Sequence, residues 1–188
     1  SKDNKVSIKS QTKVVFPNNE VTDMFYTYQD IAVKDREERQ NCDCILKRGV
    51  SVLVLDSRLE IRPDYIKSFK YTITGNCGNV FNPSTGHCLE KTTLTKTYDI
   101  SGNQYKGKKI MFSSYFFLGE DNVTDITLAT QSVDTENNVA KELSFENVHM
   151  VKGKMTTYKG PFLSTHSAAS FIIDSPTIPD SGFSTEFE

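Results

Sequence analysis

Four cysteines, three histidines and one arginine-bearing polar run are the residues of this chain with the most chemistry to offer. Cys42, Cys44, Cys77 and Cys88 form an even set, which in an exported protein predicts two disulfides with three connectivities open. Cys77 and Cys88 flank a turn-rich run, Gly78-Asn79-Val80-Phe81-Asn82-Pro83-Ser84-Thr85-Gly86-His87, so a bridge between them would staple that excursion. Cys42 and Cys44, at i and i+2 on a strand, point the same way with a Cα separation close to the upper limit for a bridge. Pairings of either with Cys77 or Cys88 stay open. The rival is a zinc site of the four thiolates with His87, but C-x-C followed by C-x10-C lacks the C-x2–4-C pairs of structural zinc. Disulfides are the expectation, and no metal is.

His87, His149 and His166 are scattered, and none stands in an H-E-x-x-H pair, so each reads as a surface or loop histidine. Ser164, His166 and Asp174 supply triad residue types without a G-x-S-x-G elbow. Glu120, Asp121, Asn122 and Asp125 carry oxygen ligands suited to calcium, yet lack the EF-hand spacing and read as a hairpin turn. With no glycine-rich phosphate loop either, no catalytic residue and no cofactor is expected, and the chain is read as non-enzymatic. The absence of tryptophan weakens a carbohydrate-binding reading; eight tyrosines, and a loop between Cys77 and Cys88 able to rim a ligand site, keep it open. Arg36-Glu37-Glu38-Arg39 lies in a polar run that reads as a solvated loop, and Arg36 and Arg39 are accessible there to an arginine-specific protease.

These residues must be positioned by a chain of 188 residues, long enough for one ordinary domain that buries roughly 70% of its unfolded surface. An apolar fraction of 37% with 24% charged residues describes a globular chain rather than a disordered or membrane-spanning one. A net charge of −2 with no basic block supplies no footprint for nucleic acid. No apolar run approaches the ~18 residues of a transmembrane helix. The polar start, Ser1-Lys2-Asp3-Asn4-Lys5, suits the tether that follows an acylated lipoprotein cysteine; it fits equally a chain cut at an arbitrary point. The expected organisation is a tether with a first strand over 1–20, a β-domain over 21–175 and a tail over 176–188.

Strand signals recur at spacings near ten residues. Val50-Ser51-Val52-Leu53-Val54-Leu55 is a compact β-branched run; residues 69–75 and 89–98 alternate between apolar or aromatic and polar side chains. Residues 109–118, 125–133 and 139–145 are separated by turn chemistry, which predicts an antiparallel meander. Arg62-Pro63-Asp64-Tyr65-Ile66-Lys67 suits one helical turn or a short helix with proline near its start. The pattern argues for an all-β sandwich more than for an α/β enzyme, with a barrel as the alternative. In Ile110-Met111-Phe112-Ser113-Ser114-Tyr115-Phe116-Phe117-Leu118 both pleat faces carry large apolar groups, so either extra segments or another subunit must cover the second face.

Three segments, in order, carry a resemblance to a known family. Thr22-Asp23-Met24-Phe25-Tyr26 followed by Ile45-Leu46-Lys47-Arg48-Gly49-Val50 is similar to a D-x-(F/M)-Y strand and an L-K-R-x-V strand. The aromatic run at 111–118 and the run at 125–130 come next. Leu143-Ser144-Phe145-Glu146-Asn147-Val148 followed by Met155-Thr156-Thr157-Tyr158-Lys159-Gly160-Pro161-Phe162-Leu163-Ser164 resembles an N-V strand end and an R-T-x-x-x-G-x-L segment, with Met155 in place of the arginine. Together, over roughly 22–174, these segments resemble the fimbrillin superfamily of Bacteroidales pili. The resemblance implies a transthyretin-like antiparallel β-sandwich with Greek-key connections, export as a lipoprotein precursor to the outer membrane or cell surface, and a structural, accessory or anchoring role in fimbriae and adhesion. Its partners would be other fimbrial subunits, joined by strand addition, and host or bacterial surface ligands; any membrane contact would run through a lipid anchor outside this sequence. Phe171, Ile172 and Ile173 match a donor strand, and Arg36 and Arg39 a processing site. The shorter chain and the four cysteines depart from the family pattern. The alternative function is a periplasmic or surface glycan-binding module.

Overall fold

A computed structural model describes residues 7–10, 12–31, 41–164 and 170–177. Among them the chain is all-β, with fifteen strands and two short 3-10 turns. In order these are β1 (Ser7–Ser10), β2 (Lys13–Val15), β3 (Phe25–Tyr26), β4 (Lys47–Arg48), β5 (Ser51–Asp56), β6 (Ile66–Gly75), β7 (Cys77–Gly78) and β8 (Val80–Asn82). Then follow β9 (His87–Glu90), β10 (Leu94–Asp99), β11 (Met111–Leu118), β12 (Val123–Asp134), β13 (Val139–Val151), β14 (Met155–Lys159) and β15 (Ile172–Thr177).

Two sheets dominate. One is antiparallel throughout, in the order β10-β6-β12-β13; the other runs β15-β14-β5-β11-β7, antiparallel except where β14 lies parallel to β5. Period-2 patterning explains which faces meet. Phe69, Tyr71 and Ile73 of β6, Leu128 of β12 and Met150 of β13 share one core with Leu53 and Leu55 of β5 and Phe112, Phe116 and Leu118 of β11. Between them stand Lys70, Thr72 and Gln131, whose polar atoms stay accessible to water.

The second apolar face of β11 is covered by the same chain. Phe117 packs with Phe16, Val21, Val50 and Phe81, with Met24 and Tyr26 against the edge of this cluster. The Phe117 ring centroid lies 5.4 Å from Phe16 and 4.6 Å from Phe81. Part of the segment expected as a tether is therefore structural: β2 pairs with β8, extending a small sheet of order β1-β2-β8-β9, and Phe16 is 3% exposed. Residues 1–6 lie outside the described residues, as do Arg36, Arg39, His166 and the expected tail from 178 onward.

Four local expectations are corrected. The meander breaks after its first strand, because β11 does not pair with β12; it lies between β5 and β7 in the other sheet. A strand apolar on both faces belongs in the middle of a covered sheet, whereas β12 alternates and lies with one face toward solvent. The run at 89–98 is two strands in different sheets, β9 and β10. No helix forms at 62–67; Ile66 N–H donates to Pro63 O at 3.0 Å in a turn that opens β6. Asn147-Val148 is no strand end but a bulge inside β13, where Asn147 takes φ +56° and pairing resumes with Ile126 opposite Val148.

The last described strand completes its own domain. β15 lies antiparallel on β14, with Tyr158 opposite Ile173 and Lys159 opposite Ile172, and Lys159 Nζ donates to Asp174 at 2.7 Å. Phe171, just before it, sets its ring against Phe145 (4.9 Å) and Phe162 (5.0 Å). Gly160 makes this seat, since a Cβ there would overlap the Phe171 ring.

Candidate functional site

The four cysteines are free thiols, so neither of the two expected disulfides is formed. Cys77 and Cys88 sit in different apolar clusters: Cys77 points into the main core, while Cys88 packs at the edge of the Phe117 cluster and donates its Sγ–H to Glu90 O at 2.9 Å. Cys42 and Cys44 are exposed. Among the described residues no group of three or more His, Cys, Asp or Glu side chains is placed to hold a metal ion. Burial, with the neighbouring Cys88 adding to it, pushes the Cys77 thiol up to about 12. The folded chain therefore holds a proton that the unfolded chain releases near pH 8.5–9. Stability from this group is full below that range and is lost as pH rises toward 12, by at most about 1.4 kcal/mol per pH unit. Urea midpoints measured from pH 8 to 11 are expected to fall, with a shallower slope in Cys77→Ala. Thiol titration of the denatured, unreduced protein is expected to return four thiols; two bridges would return none.

The other chemistry-bearing residues do not converge. His149 Nδ1 lies 3.1 Å from Asp125 Oδ1 at an exposed position on the β12–β13 pair. Asp174 is engaged by Lys159 rather than by Ser164. Glu120 and Asp121 line one cleft, with Asn76, Lys91 and Cys88, while Asn122 lines another.

That second cleft is where distant parts of the sequence meet. β3 and β4 pair antiparallel, Phe25 opposite Arg48 and Tyr26 opposite Lys47, and the Arg48 guanidinium donates to both Asp23 oxygens at 2.8 and 2.9 Å. The same guanidinium stands 4.9 Å over the Phe25 ring. This clamp aligns Tyr26 and Lys47 on the cleft. The turn at 83–86 forms the opposite wall: Asn82 Oδ1 accepts from Ser84 N–H and Oγ–H, and Gly86 N–H donates to Asn82 O at 2.7 Å. Gly86 takes φ +74°, and a Cβ there would overlap the Tyr26 hydroxyl and lie 2.9 Å from Lys152 Nζ. Lys152 arrives on the turn between β13 and β14, tied to the loop between β11 and β12 by its N–H donating to Asn122 O at 2.8 Å.

The result is a cleft of about 410 Å³ lined by Tyr26, Lys47, Arg48, Thr85, Asn122 and Lys152. A recess of about 150 Å³ continues it along Tyr28, Pro83 and Ser84. Tyr26 packs edge-on against Phe81 at 4.9 Å, and the Lys152 ammonium lies 5.8 Å from the Tyr26 ring centroid. Burial lowers the Lys152 pKa, and the positive charge of Lys47 lowers it further. Neither ammonium has an ion-pair partner among the described residues. Pro83, Ser84 and Thr85, from the run between Cys77 and Cys88, line this cleft and its recess. Lys152 and the role of Tyr26 had no signal in the sequence, and Asn122 was singled out only as a turn residue, because Lys47 and Lys152 meet only through the fold.

Residues 4–186 match the model of a protein family described as a family of unknown function, DUF6562. The chain belongs to that family. No curated protein and no solved structure matches it. The family match spans both principal sheets and the cleft, so the whole described architecture falls within the family's own bounds. No helix among the described residues is long and apolar enough to cross a membrane.

Proposed function

We propose that this chain is a non-enzymatic structural or accessory subunit of cell-surface fimbriae, exported as a lipoprotein precursor and assembling by β-strand pairing. In this reading the two principal sheets form a transthyretin-like sandwich with Greek-key connections. The observation that carries it is β15. This strand occupies an edge, its ladder to β14 is short, and Ile172 and Ile173 are 55% and 59% exposed. Its aromatic anchor is Phe171, half-buried and seated over Gly160. A slot of this kind, with ladder hydrogen bonds and one aromatic pocket, can accept an equivalent strand from a neighbouring copy in place of its own. Native mass measurement before and after arginine-specific proteolysis tests it, with Arg36 and Arg39 as the expected cleavage sites. Ordered oligomers after cleavage are expected, and Phe171→Ala should reduce them. A cleaved chain that stays monomeric overturns the proposal.

A second reading, a surface saccharide-binding module, is favoured by one specific observation. The 83–86 turn, Tyr26 and the exposed Tyr28 line a continuous recess suited to a sugar ring. The two readings are compatible on one molecule, since β15 and the cleft involve different residues.

A further inference from the structure

We infer that the cleft between β3, β4 and the 83–86 turn takes an acidic saccharide, its carboxylate or sulfate seated between the ammonium groups of Lys47 and Lys152. The inference rests on the saccharide reading above and names the ligand class of that same cleft. Three observations carry it.

The first is an uncompensated charge pair. Lys47 on β4 and Lys152 on the β13–β14 turn line the same cleft, and neither makes a hydrogen bond or ion pair through its ammonium among the described residues. Arg48, the third cation at the rim, is already held by Asp23. Two like charges facing one partly desolvated space repel, and an anion placed between them removes that repulsion. The Lys152 pKa is lowered by burial and then by Lys47, in keeping with two cations that face one space.

The second is that the arrangement is built. Gly86 adopts φ +74° and leaves the space that the Tyr26 hydroxyl and Lys152 Nζ occupy, so a side chain at 86 would displace both. The Asp23–Arg48 clamp fixes the strand pair that carries Tyr26 and Lys47. The third concerns what lies beside the charges. Thr85 and Asn122 offer neutral hydrogen-bonding groups at the rim, and Tyr28, 47% exposed, continues the wall. Hydroxyl-bonding groups and an aromatic surface next to a cation pair suit a sugar that carries an acid, more than a bare inorganic ion.

The test is calorimetric titration of the full chain with four probes: trigalacturonate, a heparin-type tetrasaccharide, neutral galactotriose and inorganic sulfate. At least one acidic saccharide is expected to bind about tenfold or more tightly than galactotriose and than sulfate, with affinity falling as salt rises. Lys47→Gln and Lys152→Gln are each expected to weaken that binding about tenfold while leaving the urea midpoint unchanged. Equal binding of galactotriose and the acidic probes overturns the inference and leaves the saccharide reading standing. Sulfate bound as tightly as either acidic saccharide, or no binding by any probe, overturns both. Unchanged affinity in the two lysine variants, with folding intact, places the ligand elsewhere and overturns the inference.

Discussion

Replacing Phe112 by alanine is expected to lower the unfolding free energy by about 3–5 kcal/mol. Phe112 is fully buried on β11 and joins the two principal sheets. Its ring stacks on Phe69 of β6 at 4.2 Å and 24°, and meets Tyr98 of β10 at 5.0 Å. Alanine would remove the transfer free energy of the ring and open a cavity that neither sheet can close, because each is held by its own ladder. Urea unfolding is the measurement. Phe69→Ala should cost a similar amount, and the double variant should cost less than the sum, since the stacked pair contributes about 0.5–1.5 kcal/mol only once. A loss below about 1 kcal/mol would mean that the two sheets do not share this core.

Glu60→Ala is expected to cost about 2–4 kcal/mol although the residue sits in a loop and is only partly buried. One carboxylate holds three donors: Oε1 accepts from Leu163 N–H at 2.6 Å and from Ser57 Oγ–H at 2.9 Å, and Oε2 accepts from Ser164 N–H at 3.0 Å. Leu163 is fully buried, so its N–H would lose its acceptor where water cannot replace it. The charge also faces Lys141, whose Nζ donates to Pro161 O and Ser164 O at 2.6 and 2.7 Å; burial lowers the Lys141 pKa and Glu60 opposes that shift. The segment held in this way carries Phe162 into the core and makes part of the seat of Phe171. Hydrogen exchange of β14 and β15 should therefore quicken in Glu60→Ala more than exchange in β6 and β12. Glu60→Gln, which keeps one acceptor oxygen, should lie between the two; if it matched wild type, the charge would be irrelevant.

The legible part of the fold was its strands. Alternation at 69–75 and the β-branched run at 50–55 each appear as a strand, β6 and β5, because the side-chain period of a strand is a local property. The doubly apolar run at 110–118 also announced, correctly, that something must lie over its second face. What covers it was not legible, since Phe16, Val21 and Phe81 come from segments that carry no mark of their destination. The pairing of β11 was misread for the same reason. Turn residues at 119–122 mark a change of direction and do not say which sheet the chain enters next. The cysteines show a further limit, because an even count says nothing about whether two thiols face one core or two.

By itself, then, the sequence determined an all-β chain and the positions of most of its strands. These follow from period, turn chemistry and composition, which act over a few residues. The tertiary structure alone decided that β15 docks on β14, that β11 lies between β5 and β7, and that Lys47, Lys152 and Tyr26 enclose one cleft. Each of those depends on which surfaces meet across tens of residues, a choice made by the summed burial of both sheets and written in no single segment.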